Sequence, residues 1–251
     1  MTLTAAGRTD IGPRALNQDW LEWDLDLGLF VVADGMGGHN AGEVASHLAV
    51  QAVRDFVAES ARGLDMTWPF PYQATLSVEA NRLLTAVRLA NRRIYEQGCT
   101  HAALEGMGTT VVAVLVSGTR ATMVSVGDSR IYRWRSGVLE QLTTDDTWLS
   151  TVMGLTADDG RGANHPLKHV LTSVVGTRDD LQPTVREEDI EPGDCFVLCS
   201  DGVHGRLDGA AIAAVLRARP DDVAGQAEGL VAEAIARHTT DNATALVVAA
   251  G

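Results

Sequence analysis

Four aspartate-bearing segments lie scattered along the whole of this chain: Asn17-Gln18-Asp19, Asp34-Gly35-Met36-Gly37-Gly38, Ser200-Asp201-Gly202 and Asp241-Asn242. Together they supply the carboxylate and carbonyl oxygens that hard divalent cations such as Mg2+ and Mn2+ prefer. To use them as a set, the fold must bring strand ends from both halves of the chain to one place. A pair of such cations roughly 3.5–4 Å apart is a common device for activating water.

The 251 residues fall within the range where one core still forms, and residues 1–251 read as a single domain with no marked linker or repeat. No stretch reaches the roughly 18 uninterrupted apolar residues of a membrane helix. Met1 to Asp10 lacks a basic region followed by an apolar run, so a cytoplasmic protein is expected. Cys99, Cys195 and Cys199 are odd in number and lack metal-type spacing; the last two lie in an apolar run and read as buried thiols. A net charge of -13 argues against nucleic acid as a partner.

Leu27 to Ala33 has the length of a strand and ends on the Asp34-Gly35 turn signal. Apolar residues then recur at helical spacing from Ala41 to about Glu59, and again from about Ser77 to Gln97, predicting two helices on one face of a sheet. Between them, Trp68-Pro69-Phe70-Pro71-Tyr72 requires a loop, read either as packing on the neighbouring helix or as a docking patch. Thr109–Val116, Ala121–Val126 and Arg130–Trp134 are strands with short turn-rich spacers, which predict antiparallel hairpins. Thr143–Val152 reads as weakly helical and Gly154–Asn164 as a surface flap. Cys195–Cys199 and Thr244–Ala249 are strands adjoining Asp201 and Asp241, with helices at about Gly209–Ala218 and Asp222–His238 between them.

The order of motifs carries more than any one of them. Thr9-Asp10-Ile11-Gly12-Pro13-Arg14 leading to Asn17-Gln18-Asp19, then Val32-Ala33-Asp34-Gly35-Met36-Gly37-Gly38, Gly108-Thr109-Thr110 and Val126-Gly127-Asp128-Ser129-Arg130 form the first half of the series. Leu171-Thr172-Ser173-Val174-Val175-Gly176, Pro192-Gly193-Asp194, Leu198-Cys199-Ser200-Asp201-Gly202 and Asp241-Asn242-Ala243-Thr244 complete it. This series resembles the metal-dependent Ser/Thr protein phosphatases of type 2C in their bacterial form, over about residues 7 to 249. The resemblance implies an α+β fold, a four-layer α-β-β-α sandwich of two antiparallel sheets flanked by helices. It implies hydrolysis of phosphoserine and phosphothreonine in proteins by direct attack of a hydroxide bridging two Mn2+ or Mg2+ ions, with a third ion in some bacterial members.

By the same resemblance Asp34 bridges both metals, the Gly35 carbonyl binds the second, and Asp201 and Asp241 complete the first. Asp128 matches the third-metal position, with a hairpin cap as its other reading. Asp19 matches a carboxylate that holds metal-bound water, or else buttresses a turn. Arg14 matches the residue that grips the substrate phosphate, a task suited to a planar guanidinium that meets two oxygens in parallel. The implied partners are phosphorylated proteins and a cognate Ser/Thr kinase pathway, with no membrane, and the protein is expected to be a monomer.

Several residues depart from the family pattern. Gln18 stands where many members carry glutamate, Met36 where animal relatives carry a histidine, and Asp146 where a histidine is common. The leaving-group acid is therefore unassigned; His39 and His204 are near in sequence, and His165-Pro166 reads as structural. Two other readings of the chain are a silent phosphoprotein-binding module of the same fold and a phosphatase of small metabolites.

Overall fold

The computed structural model describes residues 1–38, 41–63, 67–154, 167 and 170–251. Within them the chain runs β1 (Leu3–Asp10), β2 (Asp19–Asp24), β3 (Leu29–Met36), α1 (Ala41–Arg62), α2 (Val78–Thr100), β4 (Gly108–Thr109), β5 (Val111–Ser117) and β6 (Arg120–Val126). It continues with β7 (Arg130–Arg135), β8 (Val138–Gln141), α3 (Trp148–Met153), β9 (Thr184–Asp189), β10 (Cys195–Cys199), α4 (Asp201–His204), α5 (Gly209–Ala218), α6 (Val223–Ala236) and β11 (Ala243–Ala250). The strands form two antiparallel sheets, ordered β1-β11-β10-β7-β8 and β2-β3-β5-β6-β9, with β4 pairing β3.

Alternation along the central strands builds the layers. In β3, Leu29, Val31 and Ala33 face α1 and α2, while Phe30 and Val32 face the other sheet. In β10, Val197 and Cys199 face α5 and α6, while Phe196 and Leu198 meet Phe30 and Val32 between the sheets. Because both faces of these strands are covered, the sequence shows a continuous apolar run where a half-exposed strand would alternate. The expected helix-sheet-sheet-helix sandwich is what forms. Ser77, Asp208 and Asp222 cap α2, α5 and α6 by accepting from the N–H of Ala80, Ala211 and Gly225.

Trp68 packs edge-on against Phe56 of α1 at 6.0 Å and against Tyr72 at 5.3 Å, so the aromatic loop is packed on the helix. Cys195 and Cys199 are buried and free, as expected. Strands β1, β2, β8 and β9 were not predicted; their polar edges and mixed burial dilute the period-two signal.

Three local expectations are corrected. β6 and β7 do not form a hairpin: Gly127-Asp128-Ser129 carries the chain from one sheet to the other, where β7 pairs with β10 and β8. β3 does not end at Asp34-Gly35, because Gly35 and Met36 continue its ladder against Thr109 and Gly108. Helix α3 starts only at Trp148, since the Thr147 side chain caps it by accepting from the N–H of Ser150. His39, His165-Pro166 and the flap from residue 155 onward lie outside the described residues.

Candidate metal centre

The first sheet delivers two carboxylates. The β2–β3 register sets Asp19 directly opposite Asp34. The Asp34 backbone is gripped by the paired threonines ahead of β5: its N–H donates to Thr110 Oγ1 at 3.0 Å, and its carbonyl accepts from Thr110 N–H at 2.8 Å and Thr109 Oγ1 at 2.9 Å. Thr110 Oγ1 also lies 2.7 Å from Ser129 Oγ, which ties Asp34 to the crossover carrying Asp128. That crossover is fixed at both ends. Gly127 N–H donates to Asp146 Oδ2 at 3.0 Å, Asp146 N–H donates back to Gly127 O at 2.8 Å, and His204 Nε2 donates to the Asp128 carbonyl at 2.9 Å.

The second sheet supplies Asp201, the first residue of α4 after β10, and Asp241, just before β11. Ser200 joins the sheets: its Oγ donates to Asp19 Oδ2 at 2.7 Å and accepts from Thr244 N–H at 3.1 Å. Asn242 joins them again. Its Oδ1 accepts from Gln18 N–H at 2.8 Å, and its Nδ2 donates to the carbonyls of Ile11 and Leu16 at 2.8 and 2.9 Å. Gln18 O then accepts from Gly35 N–H at 3.0 Å, so the backbone of Gln18 transmits the link.

Two glycines make this convergence possible. A Cβ on Gly35 would drive into the carbonyl oxygen of Gly42, and one on Gly202 into that of Asn242. Arg14 lies at the rim, half-exposed, its NH2 donating to Asp241 Oδ2 at 2.6 Å and its Nε to Thr240 O at 3.0 Å.

These groups feel one another. Burial and then the Asp19, Asp201, Asp128 and Asp241 carboxylates hold the Asp34 carboxyl well above the ordinary carboxylate range. Burial raises Asp19 to about 6, with Asp201 and Asp241 adding and the Thr244 and Ser200 hydroxyls opposing. Burial, Asp201 and Asp145 raise Asp128 to about 7. Asp19 Oδ1 is buried and accepts no hydrogen bond. Among the described residues no three His, Cys, Asp or Glu side chains close into a cage tight enough for an ion; the carboxylates share one rim within electrostatic reach. A cluster of hard oxygen donors that raise one another's proton affinity fits a divalent cation, whose charge removes that mutual repulsion.

All seven residues expected at the site, Arg14, Asp19, Asp34, Gly35, Asp128, Asp201 and Asp241, are thus brought to one end of the sandwich. Sequence reasoning read Asp146 only as a departure beside the flap, whereas it accepts from Gly127 N–H, and gave no role to Thr110, Ser200 or Asn242. Their signal was adjacency, since hydroxyl and amide residues beside the aspartates are those free to bond across the gap. His204 serves the Asp128 backbone.

A family model described as protein phosphatase 2C matches residues 6–227. The chain is 34% identical over 253 residues to the serine/threonine protein phosphatase PstP of Mycobacterium tuberculosis, covering 98% of this chain and 45% of that protein. It therefore spans about half the length of that relative. The crystal structure of the M. tuberculosis serine/threonine phosphatase PstP/Ppp has a TM-score of 0.85 at 33% identity, covering 100% of this chain and 99% of that one. The catalytic domain of PstP in complex with two manganese ions has a TM-score of 0.80 at 33% identity, covering 98% and 97%. A four-layer sandwich with this strand arrangement is the architecture of these phosphatases. The chain belongs to the protein phosphatase 2C family.

Proposed function

We propose that residues 1–251 form one catalytic domain, a metal-dependent protein serine/threonine phosphatase that opposes a bacterial Ser/Thr kinase. The single observation that carries this reading is the convergence of Asp19 and Asp34 from one sheet with Asp128, Asp201 and Asp241 from the crossover and the other sheet at one rim, tied together through Ser200, Ser129 and Arg14. The family match and the relative solved with two manganese ions support it. In this reading Asp34, the Gly35 carbonyl, Asp201 and Asp241 hold two Mn2+ or Mg2+ ions, and Asp128 with Asp201 offers a third position.

When bound, the ions would supply a water that ionises near neutral pH as the nucleophile at phosphorus, with the bond from phosphorus to the serine or threonine oxygen breaking and that oxygen leaving. Asp19 would orient that water and take up its proton, while Ser200 holds its Oδ2. Arg14 exchanges part of its contact with Asp241 for the nonbridging phosphate oxygens, meeting two of them with its fork. No side-chain nucleophile is needed. The reading takes phosphorylated cytoplasmic proteins as substrates and the protein as a monomer; among the described residues no helix is long and apolar enough to cross a membrane.

The test is hydrolysis of a phosphothreonine peptide and of p-nitrophenyl phosphate by the purified protein, removed by chelator and restored by manganese. Asp201→Asn and Asp241→Asn are each expected to abolish turnover while circular dichroism stays that of the wild type. Full activity in either variant excludes the ligand assignment.

A further inference from the structure

Beyond the aspartates, the rim carries a second arginine. Arg206 follows α4, five positions after Asp201, and its NH2 donates to Thr240 Oγ1 at 3.3 Å. The carbonyl of the same Thr240 accepts from Arg14 Nε at 3.0 Å. One exposed threonine, next to Asp241, therefore anchors two guanidinium groups. The Arg206 backbone is also held, since its carbonyl accepts from Arg237 NH1 at 3.5 Å.

The charges of these arginines are not equivalent. Arg14 is paired with Asp241 and Arg237 with Glu233. Among the described residues Arg206 has no carboxylate partner; its one side-chain bond is to a neutral hydroxyl. On a chain of net charge -13, an exposed guanidinium that no acid neutralises marks a place where an anion is tolerated beside a strongly acidic rim. Its fork suits the oxygens of a carboxylate or a phosphate equally.

We infer that Arg206 is a specificity-determining residue of the phosphatase site and that preferred substrates carry a second anionic group close to the phosphorylated residue. The inference rests on the proposed function and adds the substrate's local chemistry to it. Arg14 and Arg206 both contact atoms of one residue, and an extended peptide advances about 3.3–3.6 Å per residue. The second anion therefore falls within about three residues of the phosphate held by Arg14. An acidic side chain and a second phosphoresidue present the same chemistry, and the assay separates them.

The experiment measures kcat and KM with manganese on phosphothreonine peptides that are neutral, that carry one aspartate at each of about three positions on either side, or that carry a second phosphothreonine there. For the wild type, at least one acidic register should raise kcat/KM roughly fivefold over the neutral peptide, chiefly through KM, as expected for a partly exposed ion pair. Arg206→Gln should bring the acidic-to-neutral ratio near one, Arg206→Lys should retain part of it, and Arg206→Glu should invert it in favour of lysine-bearing peptides. A larger gain from the second phosphothreonine than from aspartate identifies doubly phosphorylated segments as the substrate; equal gains identify acidic flanks.

No acidic preference in the wild type, or an unchanged ratio in Arg206→Gln, overturns the assignment. Hydrolysis of p-nitrophenyl phosphate by the wild type distinguishes the two levels. If it proceeds while the charge preference is missing, only the Arg206 inference falls; if it is absent, the phosphatase reading falls and takes this inference with it.

Discussion

Asp19 and Asp34 face each other across the β2–β3 ladder, two carboxylates in direct cross-strand register at one end of a buried sheet. Like charges in that position destabilise a sheet. The fold retains the pair and surrounds it with Ser200, Thr110 and the Asn242 amide, each of which ties one strand end to another.

The first consequence is a stability that falls with rising pH in the metal-free protein. An unfolded aspartate titrates near 3.9, whereas folded Asp19 and Asp128 titrate at about 6 and about 7, with Asp34 also raised. A folded value above the unfolded one means that the native state holds extra protons between those limits, so stability is lost as pH climbs through the window. The melting temperature of chelator-treated protein should drop between about pH 5 and about pH 7.5, and manganese should abolish the drop by replacing protons. A flat metal-free profile over that range would contradict the buried-carboxylate account.

Asp19→Asn should separate folding from turnover. Removing the buried charge relieves a penalty on the order of 2–3 kcal/mol near neutral pH, so the metal-free variant melts higher than the wild type at pH 7.5 and by a smaller margin at pH 5. Phosphatase activity should fall at least tenfold, a loss of about 1.4 kcal/mol or more in transition-state stabilisation. Equal melting temperatures at both pH values count against it.

Ser200→Ala removes a hydroxyl that lowers the Asp19 carboxyl and that also receives Thr244 N–H. Asp19 then titrates higher, and the acidic limb of the kcat profile moves to higher pH. The stability cost is about 1–3 kcal/mol from the orphaned N–H. A pH–rate series at saturating manganese reads the shift directly, and an unmoved limb would separate Asp19 from the reacting proton.

Asn242→Ala cuts three bonds that fasten residues 11–18 to the start of β11. At about 0.5–1.5 kcal/mol each, the expected loss is roughly 2–4 kcal/mol. Because the freed segment includes Arg14, KM for phosphopeptide should rise more than kcat falls. Urea unfolding and steady-state kinetics on the same sample test both statements.

Gly202→Ala and Gly35→Ala place a methyl group against a backbone oxygen that cannot step aside. Each should cost more than about 3 kcal/mol, the upper range for forced overpacking, and abolish manganese-dependent turnover. A variant that folds with wild-type stability would show that the two strand ends have slack.

Much of this was legible in the sequence, for reasons that differ by element. The apolar runs of β3, β5 and β10 are continuous because helices cover one face and the opposite sheet the other, so these strands declare themselves. Helix α5 is bounded as predicted because Asp208 caps a short, strongly amphipathic stretch. β1, β2, β8 and β9 escaped notice because they are sheet-edge strands with mixed exposure. The aspartates were legible as a set, through motif order. What no local pattern carries is which sheet a strand joins. The spacer Gly127-Asp128-Ser129 has the composition of a hairpin turn, and only the pairing of β7 with β10 shows it to be a crossover.

That three-residue passage also limits how the molecule can deform. β6 and β7 belong to opposite sheets yet are joined by only the three residues Gly127-Asp128-Ser129, so slip of one slab over the other at that point drags an acidic side chain. Shear within the sandwich is thus felt at its charged end, and whatever stiffens that end acts as a rivet between the two sheets there.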